Sequence, residues 1–248
     1  MMNIVVAMKQ IPDLRQIRIR NGQPVLEDVP LTFGNIDKNA LEAGVQLKEA
    51  LGGKVMVVAV GSEALEDTVK EALAAGADEA YLVLDGKLEN SDSARSAELI
   101  ARIIKGIENV DLILFGEGSG DNYSGQVGSR VAGMLELPQA SYVRSIEVNG
   151  NKATVVRSLE DCEEVLEMEM PLVLSVLADI NEPRIPSVSQ ILKAGKKPRE
   201  ILDIEVPEGV QVKTISNLAP QMQRKQTSVE SAQELIQVLA AEGYKGVK

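Results

Sequence analysis

The sequence predicts an α/β fold: a parallel sheet with helices on both faces, then an antiparallel hairpin and an extended C-terminal arm. Three observations predict it. Short apolar runs without alternation recur through the first 136 residues, as they do in strands buried on both faces. Stretches of helical period separate them, the pattern of strand–helix–strand crossovers. Beyond residue 140 the runs alternate apolar and polar around an Asn149-Gly150 pair, a strong hairpin signal.

Taken in order, NIVVAM (3–8) reads as the first buried strand. A second Asn-Gly pair, at 21–22 in IRIRNGQPVLED, predicts a small hairpin projecting after it. An amphipathic helix is expected over DKNALEAGVQLKEAL (37–51), beginning at Asp37. KVMVVAVG (54–61) is a strand, and ALEDTVKEALAAG a helix that stops at Gly76. AYLVL (80–84), SARSAELIARIIKGI (93–107) and DLILFG (111–116) read as strand, helix and strand. SGQVGSRVAGMLEL (124–137) is expected to be helical despite its glycines. In LEDCEEVLEMEM, Cys162 is expected to be a small packing residue of an alternating strand, beside a solvated acidic run. Residues 184–227 show no regular apolar period and predict an arm that needs a partner surface to order it. A closing helix is expected over 228–243. The organisation is therefore 1–183, an α/β unit, and 184–248, an arm with its helix.

Composition excludes several classes of function. The chain has no histidine and one cysteine, which removes Ser-His-Asp and Cys-His catalysis, His-ligated metals, internal disulfides and iron–sulfur ligation. A net charge of −11 argues against nucleic acid as a partner. No apolar run approaches 18 residues and no signal-peptide core is present, so no membrane insertion is expected and a cytoplasmic location is. With two Phe, four Tyr and no Trp, any bound ring system would rest mainly on aliphatic side chains and backbone.

The stretch GEGSGDNYSGQVG (116–128) carries the chemistry. It follows a buried strand and leads into a helix, where open parallel sheets bind ligands. Gly116, Gly118, Gly120 and Gly125 permit close backbone approach, and the N–H groups of Ser124, Gly125, Gln126 and Val127 would suit an anion. Neither the dinucleotide fingerprint nor the P-loop is present, because Asp121 stands at the third glycine position and no Gly-Lys-Ser/Thr follows. Two readings stay open on chemistry alone: a phosphate cradle, or a tight strand–helix connection capped by Asp121 or Ser124. Glu117 and Asp121 would repel a bare phosphate and suit ribose hydroxyls or a helix cap better. Lys193, Lys196, Lys197 and Arg199 form a basic cluster that is either a solvated face or a dock for an acidic partner.

VAMKQIPD (6–13), NIDKNALEAGVQLKE (35–49) and above all VRSLEDCEEVLEMEMPLVLSV followed by NEPRIPSVSQILKAGKKP (156–198) resemble the beta subunit of electron transfer flavoproteins. The resemblance covers essentially the whole chain. It implies a Rossmann-like, adenine-nucleotide-binding fold whose arm wraps an alpha subunit in a heterodimer. Carried over by position, the pocket includes Ala7, Gly34 and Val60, with Gly116, Gly118, Asp121, Ser124, Gly125, Gln126 and Val127 from the loop. The family's commonest loop has a basic residue, a Gln and a second Asp that Glu117, Gly118 and Tyr123 do not reproduce. The substitutions resemble the Fix-type branch and its electron-bifurcating members. Small residues at 118–120 are expected to leave room for FAD, with AMP as the alternative; NADH would be an electron donor. A dehydrogenase or quinone oxidoreductase, with a ferredoxin-like protein, would be the redox partners. No side chain of this chain is expected to act catalytically, since the redox chemistry belongs to the flavin.

Overall fold

The computed structural model describes residues 1–89, 91–220 and 226–244. The chain opens with β1 (Met2–Ala7), β2 (Gln10–Pro12), β3 (Arg18–Arg20), β4 (Gln23–Val25) and β5 (Leu31–Phe33). The α/β run follows: α1 (Asn35–Leu51), β6 (Gly53–Gly61), α2 (Leu65–Ala74), β7 (Glu79–Leu84), α3 (Ser93–Lys105), β8 (Leu112–Gly116) and α4 (Val127–Leu135). A meander, β9 (Gln139–Asn149), β10 (Lys152–Ser158) and β11 (Glu163–Glu169), leads to β12 (Leu172–Val176). The arm carries α5 (Val188–Ala194), β13 (Arg199–Ile201) and α6 (Ala232–Ala241).

Nine strands form one sheet in the order β11-β10-β9-β12-β8-β1-β6-β7-β13. Every neighbouring pair from β9 to β13 is parallel, and β10 and β11 turn back antiparallel. The unalternating apolar runs have their explanation here. Ile4 and Val6 of β1 face one core with Ala40, Leu41 and Val45 of α1 and Val69 and Leu73 of α2. Val5 and Ala7 face the other, with Leu99, Ile100 and Ile103 of α3 and Val131 of α4. Both strand faces are covered, so both residue parities must be apolar.

Both Asn-Gly pairs sit at hairpins. Asn21 and Gly22, at φ 52° and 74°, form the two-residue turn between paired Arg20 and Gln23. The second turn is shifted by one: Asn149 pairs Lys152, so Gly150 and Asn151 are the loop. Four helix or strand readings change, one being the closing helix, which begins at Ala232 instead of 228. α1 begins at Asn35 with Gly34 as its N-cap, which leaves Asp37 inside the first turn and buried. α4 begins at Val127, three residues later than the sequence suggests. Cys162 lies in the β10–β11 turn and is exposed. Cys162→Ser should therefore change unfolding free energy by less than about 0.5 kcal/mol in a urea titration.

The first part of the arm is ordered by the chain's own sheet. Ser187 caps α5 in a capping box with Gln190. β13 then adds in parallel to β7, with Arg199 opposite Ala80 and Ile201 opposite Leu82. The basic cluster divides. Lys197 reaches the carbonyls of Leu73 and Ala77 at 2.8 and 2.5 Å, and burial lowers its pKa. Arg199 approaches Glu66 at 3.7 Å, and Lys193 and Lys196 remain exposed. Upstream, Arg184 bridges Glu42 at 2.7 Å and Glu49 at 2.7 Å on α1. Farther on, the N–H groups of Gln211 and Val212 reach Asp92, which also caps α3. α6 buries no residue. Residues 221–225 of the predicted arm, and 245–248 beyond its helix, lie outside the described residues. Among the described residues no helix is long and apolar enough to cross a membrane.

At the far edge, β11 places Glu163, Glu167 and Glu169 along a strand with no outer neighbour in the sheet. Glu163 and Glu167 pair inward with Arg144 and Lys152.

Candidate functional site

The chain leaves β1 through α1 to β6 on one side, and later returns to the other side of β1 as β8. The strand order reverses there, so the crevice outside the carboxyl ends of β1 and β8 is where such a sheet binds ligands. Ala7 ends β1, paired with Val58 and Phe115. Gly116 ends β8 and Gly34 caps α1.

These residues gather around one side chain that sequence reading did not select. Asp37 Oδ2 accepts the Lys9 N–H at 2.8 Å, and the Gly116 amide, close against the carboxylate, favours its charge. The Gly34 N–H reaches the Lys9 carbonyl at 3.2 Å. A Cβ on Gly116 would lie 2.6 Å from Asp37 Oδ1, so only glycine admits this approach. Burial pushes the Asp37 carboxyl up to about 7, against the Lys9 and Gly116 amides and the Lys9 charge, with the Asp121 charge adding to the rise. Its signal in the sequence was a helix-start acid, which normally points to solvent. Val60 lies on β6, separated from the 116–128 loop by β1.

In the loop, the Glu117 amide bonds the Val176 carbonyl at 3.0 Å. One Glu117 oxygen meets the Tyr123 hydroxyl, while Oε2 is buried and has no partner among the described residues. Burial, with Asp179 nearby, raises the Glu117 pKa. Lys9 Nζ bridges to Asp121 at 2.6 Å and lies 3.5 Å from the Ser119 hydroxyl. Burial works to raise the Asp121 carboxyl, but these two partners hold it below its usual value. Neither Asp121 nor Ser124 caps α4, whose N-cap is Gln126 without a side-chain bond. Instead the Gln126 amide oxygen accepts from Ser93 at 3.0 Å and from Arg130 at 3.1 and 3.2 Å.

Two expectations meet this geometry. The N–H groups of Ser124, Gly125, Gln126 and Val127 find no acceptor among the described residues, although only Val127 belongs to the helix. Gly125 holds φ 62°, a left-handed turn that suits glycine. The room expected at 118–120 is taken up by the protein itself. The Tyr123 ring sits 2.9 Å from where a Gly118 side chain would begin, and Leu14 stands 2.6 Å from the same place on Gly120. Among the described residues no cluster of His, Cys, Asp or Glu could hold a metal.

The residues present fit an adenosine nucleotide on two counts. Unpaired backbone donors beside glycines suit phosphate oxygens, and the unpartnered Glu117 oxygen is an acceptor for a sugar hydroxyl.

Comparison with known proteins identifies the family. Residues 25–207 match the model of the electron transfer flavoprotein domain. The chain is 37% identical over 235 residues to the electron transfer flavoprotein subunit beta of Thermoanaerobacterium thermosaccharolyticum, covering 90% of each. It is 37% identical over 207 residues to the caffeyl-CoA reductase-Etf complex subunit CarD of Acetobacterium woodii, covering 82% of this chain and 79% of that one. The subunit beta of Bacillus subtilis is 32% identical over 254 residues, covering 97% and 98%. This chain therefore belongs to the electron transfer flavoprotein family.

Proposed function

We propose that this chain is the beta subunit of a heterodimeric electron transfer flavoprotein that holds FAD at the β1–β8 crevice and takes part in electron bifurcation. The observation that carries the nucleotide is the set of four open backbone N–H groups at 124–127, where the loop after β8 enters α4. Likeness to CarD, a subunit of a caffeyl-CoA reductase-Etf complex, favours the bifurcating form. In this reading the amides of Ser124 to Val127 bind phosphate oxygens, and Glu117 accepts a ribose hydroxyl. Ala7, Gly34 and Val60 supply aliphatic and backbone surface, together with the backbone of Gly116 and Gly118. Asp121 holds Lys9 across the crevice. When bound, the flavin supplies the electron chemistry, with NADH as donor and a dehydrogenase or quinone oxidoreductase, with a ferredoxin-like protein, as partners. The setting is cytoplasmic.

The division at 183–184 is functional: the arm and α6 dock on the alpha subunit. Supporting this, Ile185 and Ile215 are 93% and 98% exposed, and Leu235, Ile236 and Leu239 of α6 are uncovered. A second reading has its own support. Tyr123 and Leu14 crowd the loop at 118–120, which favours the shorter AMP in this pocket with the only FAD on the alpha subunit. Purified with its alpha subunit, the complex should release two FAD per heterodimer on acid extraction. One FAD and one AMP would establish the second reading and overturn the first.

A further inference from the structure

We propose that Asp37 is the positioning residue of the nucleotide site, fastening the loop after β1 to the end of β8 across the point where the strand order reverses. The inference rests on the nucleotide reading above and deepens it. Asp37 lies in the first turn of α1 and is 7% exposed. Its carboxylate takes the Lys9 amide at 2.8 Å and packs directly against Gly116 at the end of β8. Gly34 and Gly116 both crowd it, at 3.2 and 2.6 Å from where their side chains would begin. Lys9 in turn reaches Asp121 with its ammonium group. One buried carboxylate thus sets the spacing of α1, the loop after β1 and the end of β8, three of the walls of the crevice.

Its protonation state matters because its neighbours favour a charged acceptor. The carboxylate is a strong acceptor for the Lys9 N–H, whereas the acid accepts more weakly and brings in a buried O–H that needs an acceptor of its own. The charged groups bearing on Asp37 are Lys9 from the loop after β1 and Asp121 from the loop after β8. Lys38, next to it on α1, is engaged by Glu71 at 2.6 Å. With the carboxyl near 7 in the ligand-free protein, nucleotide affinity should be full above pH 8 and fall as pH drops through 7.

The test uses the heterodimer stripped of nucleotide, with FAD and AMP each as probe, titrated from pH 6 to 8. Wild-type affinity for the nucleotide that binds should fall about tenfold from pH 8 to pH 6, the fraction of carboxylate left by a group titrating near 7. Asp37→Asn should bind more weakly at pH 8 and lose the slope, so that any titration of AMP itself cancels in the comparison. As a readout independent of that variant, the Lys9 and Gly116 amide proton shifts of wild type should titrate together with a midpoint near 7. Binding with equal pH dependence in both proteins would overturn the role of Asp37 alone. Affinity that rises as pH falls would do the same, because phosphate repulsion would then outweigh the lost acceptor. No binding of either probe by wild type at any pH would overturn the nucleotide reading, and this inference with it.

Discussion

Gly116→Ala should empty the nucleotide site and destabilise the chain together. The new methyl would stand 2.6 Å from Asp37 Oδ1, 3.0 Å from the Asp37 backbone nitrogen and 3.0 Å from the Ile36 carbonyl carbon. Two of those atoms are backbone in the first turn of α1, which cannot swing aside like a side-chain tip. β8 must withdraw or α1 must shift, and either movement pulls the Gly116 amide from Asp37. Overpacking costs about 1–3 kcal/mol, and a buried carboxylate losing a donor costs about as much again. The expected total is about 2–6 kcal/mol in urea unfolding, with nucleotide lost on desalting. The control is Gly133→Ala, at an exposed position of α4 where nothing lies within 4 Å of the added carbon. That change should be neutral or stabilising by up to about 1 kcal/mol. Equal behaviour of the two variants would show that the Gly116 contact does not constrain the site.

Arg184→Ala should be the most costly change in the arm. Arg184 holds Glu42, whose side chain is 6% exposed, together with Glu49 at 55%. Removing the guanidinium strands a buried carboxylate. Since Arg184 is itself 28% exposed, water can replace part of the interaction. The expected loss is therefore about 2–3 kcal/mol, below the range for a dry pair. The pH dependence has a definite sign. Burial works to raise the Glu42 carboxyl, yet Arg184 and Gln46 hold it below its usual 4.5. A depressed carboxylate stabilises above its unfolded pKa, and that contribution is lost as pH falls through the folded value. The gap between wild type and variant should be widest near neutrality and should narrow below the ordinary glutamate range. A gap that stays constant down to pH 3 would assign the loss to packing of the arginine stem instead.

The sheet was legible because its strands are covered on both faces, and that condition leaves a mark in every residue. VVAM, VMVVAV and LILF have no polar parity, so period alone identifies them. The Asn-Gly hairpins were legible for a different reason: at 21–22 the left-handed turn is a local demand that few residues satisfy. What escaped was set by distant contacts. β13 is three residues, REI, and only the open edge of β7 makes it a strand. α1 starts before Asp37 because its cap is a glycine, which carries no side-chain signal. The same acid reads as a solvent-facing helix start until Lys9 and Gly116 are seen to converge on it. A local sequence does not reveal that Tyr123 and Leu14 fold back over the small residues at 118–120.

The border strand β11 has a consequence for handling the protein. An unpaired strand at the margin of a large sheet invites docking by another chain's strand, the first step of aggregation. Here that margin carries Glu163, Glu167 and Glu169, while the opposite margin ends in the three residues of β13. Arg144 and Lys152 pair with two of these acids, so what keeps two molecules apart is chiefly the net charge of −11 that each carries. Concentrated solutions near neutral pH should therefore stay clear on storage, and acidification toward the sequence pI of about 4.7 removes the repulsion that keeps them so.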